Sequence, residues 1–121
     1  MAAQETEEKV GRKFFRIPIE APQEASITIA DQTFSVINVA SHGVGIYLED
    51  PDTFDVDKEI TDINLTINGK SCSVRGRIAH VTPTSIHYLC GIEIIEMSQE
   101  ANEILQGFID DHKASLFSFM P

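Results

Sequence analysis

The chain predicts a mainly β protein: about six antiparallel strands forming a small barrel or sandwich, followed by one C-terminal α-helix. Three observations carry that prediction. Short segments alternate apolar and polar residues at regular spacing from Ala25 onward. Asn68-Gly69, set between two such segments, is the strongest hairpin signal in the chain. After Ser98 the apolar residues change from a period of two to helical spacing. Successive strands with no helical pattern between them bury their apolar faces by closing or packing on themselves.

Pro18 forbids a helix interior, so Phe15 to Glu20 reads as extended. Ala25 to Ala30 alternates Ile27 and Ile29 with polar residues. Asp31-Gln32 then reads as a tight turn, and Thr33 to Val39 returns with Phe34 and Val36 on one face. Asn38-Val39-Ala40-Ser41-His42-Gly43 reads as a turn of small polar residues before a third strand that points Val44, Ile46 and Leu48 inward. Glu49 to Glu59 is an acidic loop. Ile60 to Ile67 and Ser71 to Val81 flank Asn68-Gly69, and Pro83-Thr84-Ser85 turns the chain into a last strand running from Ile86 to Ile95. A hairpin centred on Thr84 would set Cys90 opposite Ile78. Ser98 can cap the helix, with Glu100 and Glu103 near its positive end. Ala101, Ile104, Leu105, Phe108 and Ile109 make one stripe, which most simply covers an open face or mouth of the barrel.

These elements define one domain over residues 11–116. Residues 1–10 read as a disordered acidic leader, and 117–121 as the end of an apolar tail that packs back or offers a contact surface. With 121 residues, 42% of them hydrophobic and 23% charged, the composition is that of an ordinary soluble domain. No apolar run is long enough to cross a bilayer and the polar N-terminus is no signal peptide, so no membrane insertion is expected and the expected compartment is the cytoplasm.

A formal charge of −10 argues against a nucleic-acid polymer as partner. Two cysteines are too few for a disulfide framework. Cys72, His80, His87 and Cys90 lack the close pairs typical of structural zinc sites, so no metal and no cofactor is expected. Ser41-His42 offers no nucleophile elbow or oxyanion loop, and the chain does not read as an enzyme. Arg75 and Arg77 lie two apart on a strand and read as solvent-facing, with accessory ligand contact as the alternative.

The basic residues are unevenly placed. Lys9, Arg12, Lys13 and Arg16 put four of the nine cations inside eight residues. Within Gly11-Arg12-Lys13-Phe14-Phe15-Arg16-Ile17-Pro18, the two arginines lie four apart. A guanidinium fork grips phosphate bidentately, bonds the O6/N7 edge of guanine, or lies flat on a base. A local cationic spot on an acidic body suits a small anion. Phe14 and Phe15 read as core or rim packing before base-stacking platforms.

Arg12-Lys13-Phe14-Phe15-Arg16 together with Asn38-Val39-Ala40-Ser41-His42-Gly43 resembles the PilZ family of bacterial cyclic di-GMP receptors. That family carries an RxxxR arm followed by a [D/N]xSxxG turn at a strand junction. The first motif matches in full; the second matches at Asn38 and Gly43 but places Ala40 at the serine position. The resemblance runs from about Arg12 to about His112 and includes the Gly91-Ile92-Glu93 step. It implies a six-stranded antiparallel PilZ-type β-barrel with one C-terminal α-helix.

The resemblance also implies a function: a cyclic di-GMP effector in which nucleotide clamps the arm onto the barrel and switches a contact with an unidentified protein target. Arg12 and Arg16 would hold the phosphates or guanines, with Lys13 beside them. Asn38 would bond a guanine, and Gly43 would allow the tight turn. Without the serine hydroxyl at Ala40, affinity would fall by one to two decades, about 1–3 kcal/mol. Ser41 is the alternative source of that hydroxyl. The rival reading is a PilZ-like adaptor that binds no nucleotide and acts through protein contacts only.

Overall fold

A computed structural model describes residues 16–118. Six strands close into an antiparallel barrel: β2 (Ala25–Ile29), β3 (Gln32–Ala40), β4 (Gly43–Leu48), β5 (Glu59–Ile67), β6 (Lys70–Pro83) and β7 (Tyr88–Met97). Their order is β3-β2-β5-β6-β7-β4, and β4 pairs back onto β3. A two-residue strand, β1 (Ile17–Pro18), lies beside the C-terminal part of β3, with Ile17 opposite Val39 and Pro18 opposite Asn38. The extended segment expected around Pro18 is thus a paired one. A single 3₁₀ turn, Pro22–Glu24, links it to β2.

Alternation builds the core. Ile27, Ile29, Val36, Val44, Ile46, Leu48, Ile63, Leu65, Ile78 and Ile92 all point inward and are buried. The helix α1 (Gln99–Ser118) closes it, with Ala101, Leu105, Phe108 and Ile109 in the same cluster and Ile104 packed against it. Ser98 Oγ accepts from the Ala101 amide at 3.0 Å, which satisfies one of the helix's orphan donors as expected of a cap. The helix runs through Leu116, Phe117 and Ser118, so it takes in residues read from sequence as the start of the apolar tail. Among the described residues, no helix is long and apolar enough to cross a membrane.

Three turns depart from the sequence reading. The first hairpin turns at Ala30-Asp31, one residue early, with φ of 51° and 70°. Such a two-residue turn needs positive φ at both positions, which Asp tolerates but Ala does not advertise. Asn68 and Gly69, with φ of 50° and 83°, turn as expected. Asn38 to Gly43 is not a turn throughout: Asn38, Val39 and Ala40 belong to β3, Gly43 opens β4, and only Ser41-His42 turns. The last hairpin has a four-residue loop, Thr84 to His87, whose Thr84 Oγ1 accepts from the His87 amide at 3.0 Å. That loop shifts the register, so Cys90 opposes Val81 and Ile78 opposes Ile92.

Two register shifts govern what faces outward. One extra residue on β3 between Val36 and Asn38, and one on β6 between Ile78 and His80, each reverse the alternation. Val36 and Val39 are both buried, as Ile78 is on β6, and the polar residue after each shift is turned to the outside of the barrel.

Candidate functional site

Arg16 stands at the entrance to β1, exposed, beside the outward-facing end of β3. Its Nη1 donates to Asn38 Oδ1 at 2.9 Å, which joins the end of the RxxxR arm to the start of the second motif. Pairing fixes this meeting. With Ile17 opposite Val39 and Pro18 opposite Asn38, one further step places Arg16 level with Ala40 and diagonal to Asn38. The shift after Val36 is what makes the contact possible: on strict alternation from Val36, Asn38 would enter the core.

Asn38 lies low on the sheet because its neighbour across the ladder is Gly45. A Cβ at Gly45 would stand 2.7 Å from Asn38 Oδ1. Sequence reasoning missed Gly45, although the outward row Gly43, Gly45, Tyr47 follows from the inward Val44, Ile46 and Leu48. Gly45→Ala is therefore expected to push the Asn38 amide off the wall and part it from Arg16. The clash meets only the end of a side chain, so thermal unfolding should stay close to that of the native chain.

An uncharged amide shares Arg16's proton but leaves its charge unneutralised. The other described arginines differ. Arg75 pairs with Glu59 at 3.1 Å and Glu96 at 2.9 Å, and Arg77 pairs with Glu93 at 2.5 Å. These are solvent-exposed pairs that contribute little to stability but engage both guanidinium groups. Among the described residues, Arg16 is the one arginine without a carboxylate partner.

Gly43 is required for a reason other than a strained turn, since its φ is not positive. A Cβ there would lie 3.0 Å from the Ile92 carbonyl oxygen, and the His42 carbonyl accepts from the Ile94 amide at 2.8 Å. The turn is thus strapped to β7. Ser41 is half-buried on this turn, while Ala40 is 3% exposed. Arg12, Lys13, Phe14 and Phe15, with the acidic leader, lie outside the described residues.

The arrangement is a wall, not a pocket. Two surface depressions lie away from the Arg16–Asn38 contact, one lined by Lys70, Ser71 and Glu100, the other below the motif turn and lined by His42, Ile94 and Asn102. The candidate site is placed at the meeting of Arg16 and Asn38, where residues of the two sequence motifs touch. Among the described residues, no group of His, Cys, Asp and Glu is arranged to hold a metal ion. Both cysteines are free thiols. Burial raises the pKa of Cys72, with a smaller contribution from Glu100, and pushes Cys90 up to about 11, so neither is an activated thiolate at neutral pH.

Comparison with known proteins bears on the fold and the family. The PilZ domain family model matches residues 11–111. No curated protein matches the chain. Among solved structures, YcgR in complex with c-di-GMP from Escherichia coli is similar at 15% identity and TM-score 0.67, over 88% of this chain and 48% of that one. The K. pneumonia MrkH–c-di-GMP complex is similar at 9% identity and TM-score 0.72, over 85% and 52% respectively. The PilZ domain of E. coli YcgR with c-di-GMP aligns at 14% identity and TM-score 0.67, over 91% of this chain and 98% of that domain. The chain therefore spans about half the length of the first two and nearly all of the isolated domain. At such identities the likeness speaks for the fold, and the family model speaks for the lineage: this chain belongs to the PilZ domain family.

Proposed function

We propose that this chain is a cyclic di-GMP binding effector, a receptor and not an enzyme. The observation that carries the reading is the Arg16–Asn38 contact, which joins the last residue of one motif to the first of the other and leaves a guanidinium there without a carboxylate partner among the described residues. Arg16 holds a phosphate or a guanine edge, and Asn38 offers its remaining amide hydrogens to a guanine. Arg12 and Lys13 come over the ligand from the arm as the second wall, with Ser41 and Gly43 at the turn below. Nucleotide bridges arm and barrel, and the altered surface is what a protein target reads.

Limited trypsin digestion tests the clamp, because the arm carries Arg12, Lys13 and Arg16. Saturating cyclic di-GMP should slow cleavage at these positions selectively. Equal cleavage with and without nucleotide, alongside demonstrated binding, would remove the clamp and keep the receptor.

Ala40 favours a second reading, an adaptor that works through protein contacts without nucleotide. Position 40 lacks the family hydroxyl and is nearly inaccessible. Ala40→Ser separates the two. In a receptor this change should tighten cyclic di-GMP binding by about tenfold, the equivalent of one net hydrogen bond. An adaptor would show no saturable binding in either form.

A further inference from the structure

The row that contains Asn38 and Gly45 continues around the barrel. Gly45 is opposite Gly91 on β7, and Gly91 is opposite His80 on β6. Asn38, Gly45, Gly91 and His80 thus form one line across four strands on the outer wall, with two bare glycines at its centre. Three strand spacings of roughly 4.8 Å separate its ends.

The two halves of this line are built alike. Asn38 is turned outward by the extra residue on β3 and lies over Gly45; His80 is turned outward by the extra residue on β6 and lies over Gly91. A Cβ on Gly91 would stand within 3.0 Å of three imidazole atoms, with Nε2 the nearest. On strict alternation from Ile78, His80 would instead enter the core. Neither the arginine motif nor the Asn38–Gly43 motif contains His80 or Gly91; Gly91 opens the Gly91-Ile92-Glu93 step of the family resemblance, which assigns it no ligand role. Two independent bulges, each delivering a polar side chain onto a glycine at the same level of the wall, are more than packing of the core requires.

The ring's other nitrogen is already engaged, with Nδ1 3.1 Å from Thr82 Oγ1. The tautomer in which Thr82 donates to Nδ1 carries its proton on Nε2, above the glycine floor. An imidazole N–H can donate to the O6/N7 acceptor edge of guanine, which would leave the guanidinium of Arg16 to the phosphate. We propose that the His80 imidazole, seated over Gly91, is the far half of the nucleotide platform and donates from Nε2 to the guanine edge of the bound ligand. This rests on the receptor reading above and adds to it a specificity residue on β6.

The test uses the full chain with cyclic di-GMP and cyclic di-AMP, whose bases differ at the position of O6. His80 is exposed, so His80→Ala should fold; Gly91→Ala keeps the histidine but lifts its ring. Both variants are expected to raise the Kd for cyclic di-GMP about tenfold and to narrow the preference over cyclic di-AMP. The imidazole nitrogen resonances of His80 in the native chain should move on saturation. Native binding with a Kd unchanged in His80→Ala and static imidazole resonances would overturn the role of His80 alone. Absence of native binding would overturn this proposal and the receptor together.

Discussion

Arg16→Ala is expected to lower affinity for cyclic di-GMP by about ten- to hundredfold while leaving thermal unfolding close to that of the native chain. Charge-assisted hydrogen bonds to phosphate or a guanine edge are each stronger than neutral ones, and the truncated side chain would forfeit both the bonds and the positive charge. The fold has little stake in this residue: Arg16 is exposed, and its side-chain hydrogen bond among the described residues is the surface bond to Asn38. Arg16→Lys should recover only part of the loss, because an ammonium keeps the charge without the planar fork. Isothermal titration of the three forms, beside their melting curves, reads the effect. Equal affinities in all three would detach the arm from the ligand.

Leu105→Ala is expected to have the opposite profile, a large loss of stability. Leu105 is 1% exposed at the centre of the stripe that seals the barrel. Truncating such a residue costs about 2–5 kcal/mol through lost transfer energy and the cavity left behind. In a domain of this size that lowers the melting temperature by roughly 10–30 °C. Exposed Asn102 on the same helix should tolerate the same change to within about 0.5 kcal/mol, a control for helix propensity. If Leu105→Ala melts with the native chain, the helix is an appendage and not part of the core.

The sequence showed the barrel and the helix because both rest on simple periods. Ile27/Ile29, Val44/Ile46/Leu48 and Ala101/Leu105/Phe108/Ile109 each declare a face, and Asn68-Gly69 declares a turn. What it hid was every place where the period breaks. The extra residues before Asn38 and before His80 have no composition signal, yet they decide that these two side chains face solvent instead of the core. The small polar residues from Asn38 to Gly43 passed the end of β3 off as a turn, and the four-residue loop from Thr84 to His87 set Cys90 opposite Val81 and not Ile78. Gly45 was equally silent, and Gly91 was visible only as part of the Gly91-Ile92-Glu93 step, since a glycine that clears space for a neighbour's side chain looks like any other until the neighbour is placed. The motif residues Arg16 and Asn38 were legible by resemblance. That they touch followed only from the pairing of β1 with β3.

Calorimetric titration of the full chain with cyclic di-GMP is the most direct measurement of whether the Arg16–Asn38 wall binds nucleotide. We expect a saturable heat at micromolar concentration that is lost or greatly weakened in Arg16→Ala. A flat titration of the native, folded chain would contradict the account and leave an adaptor built on the same barrel.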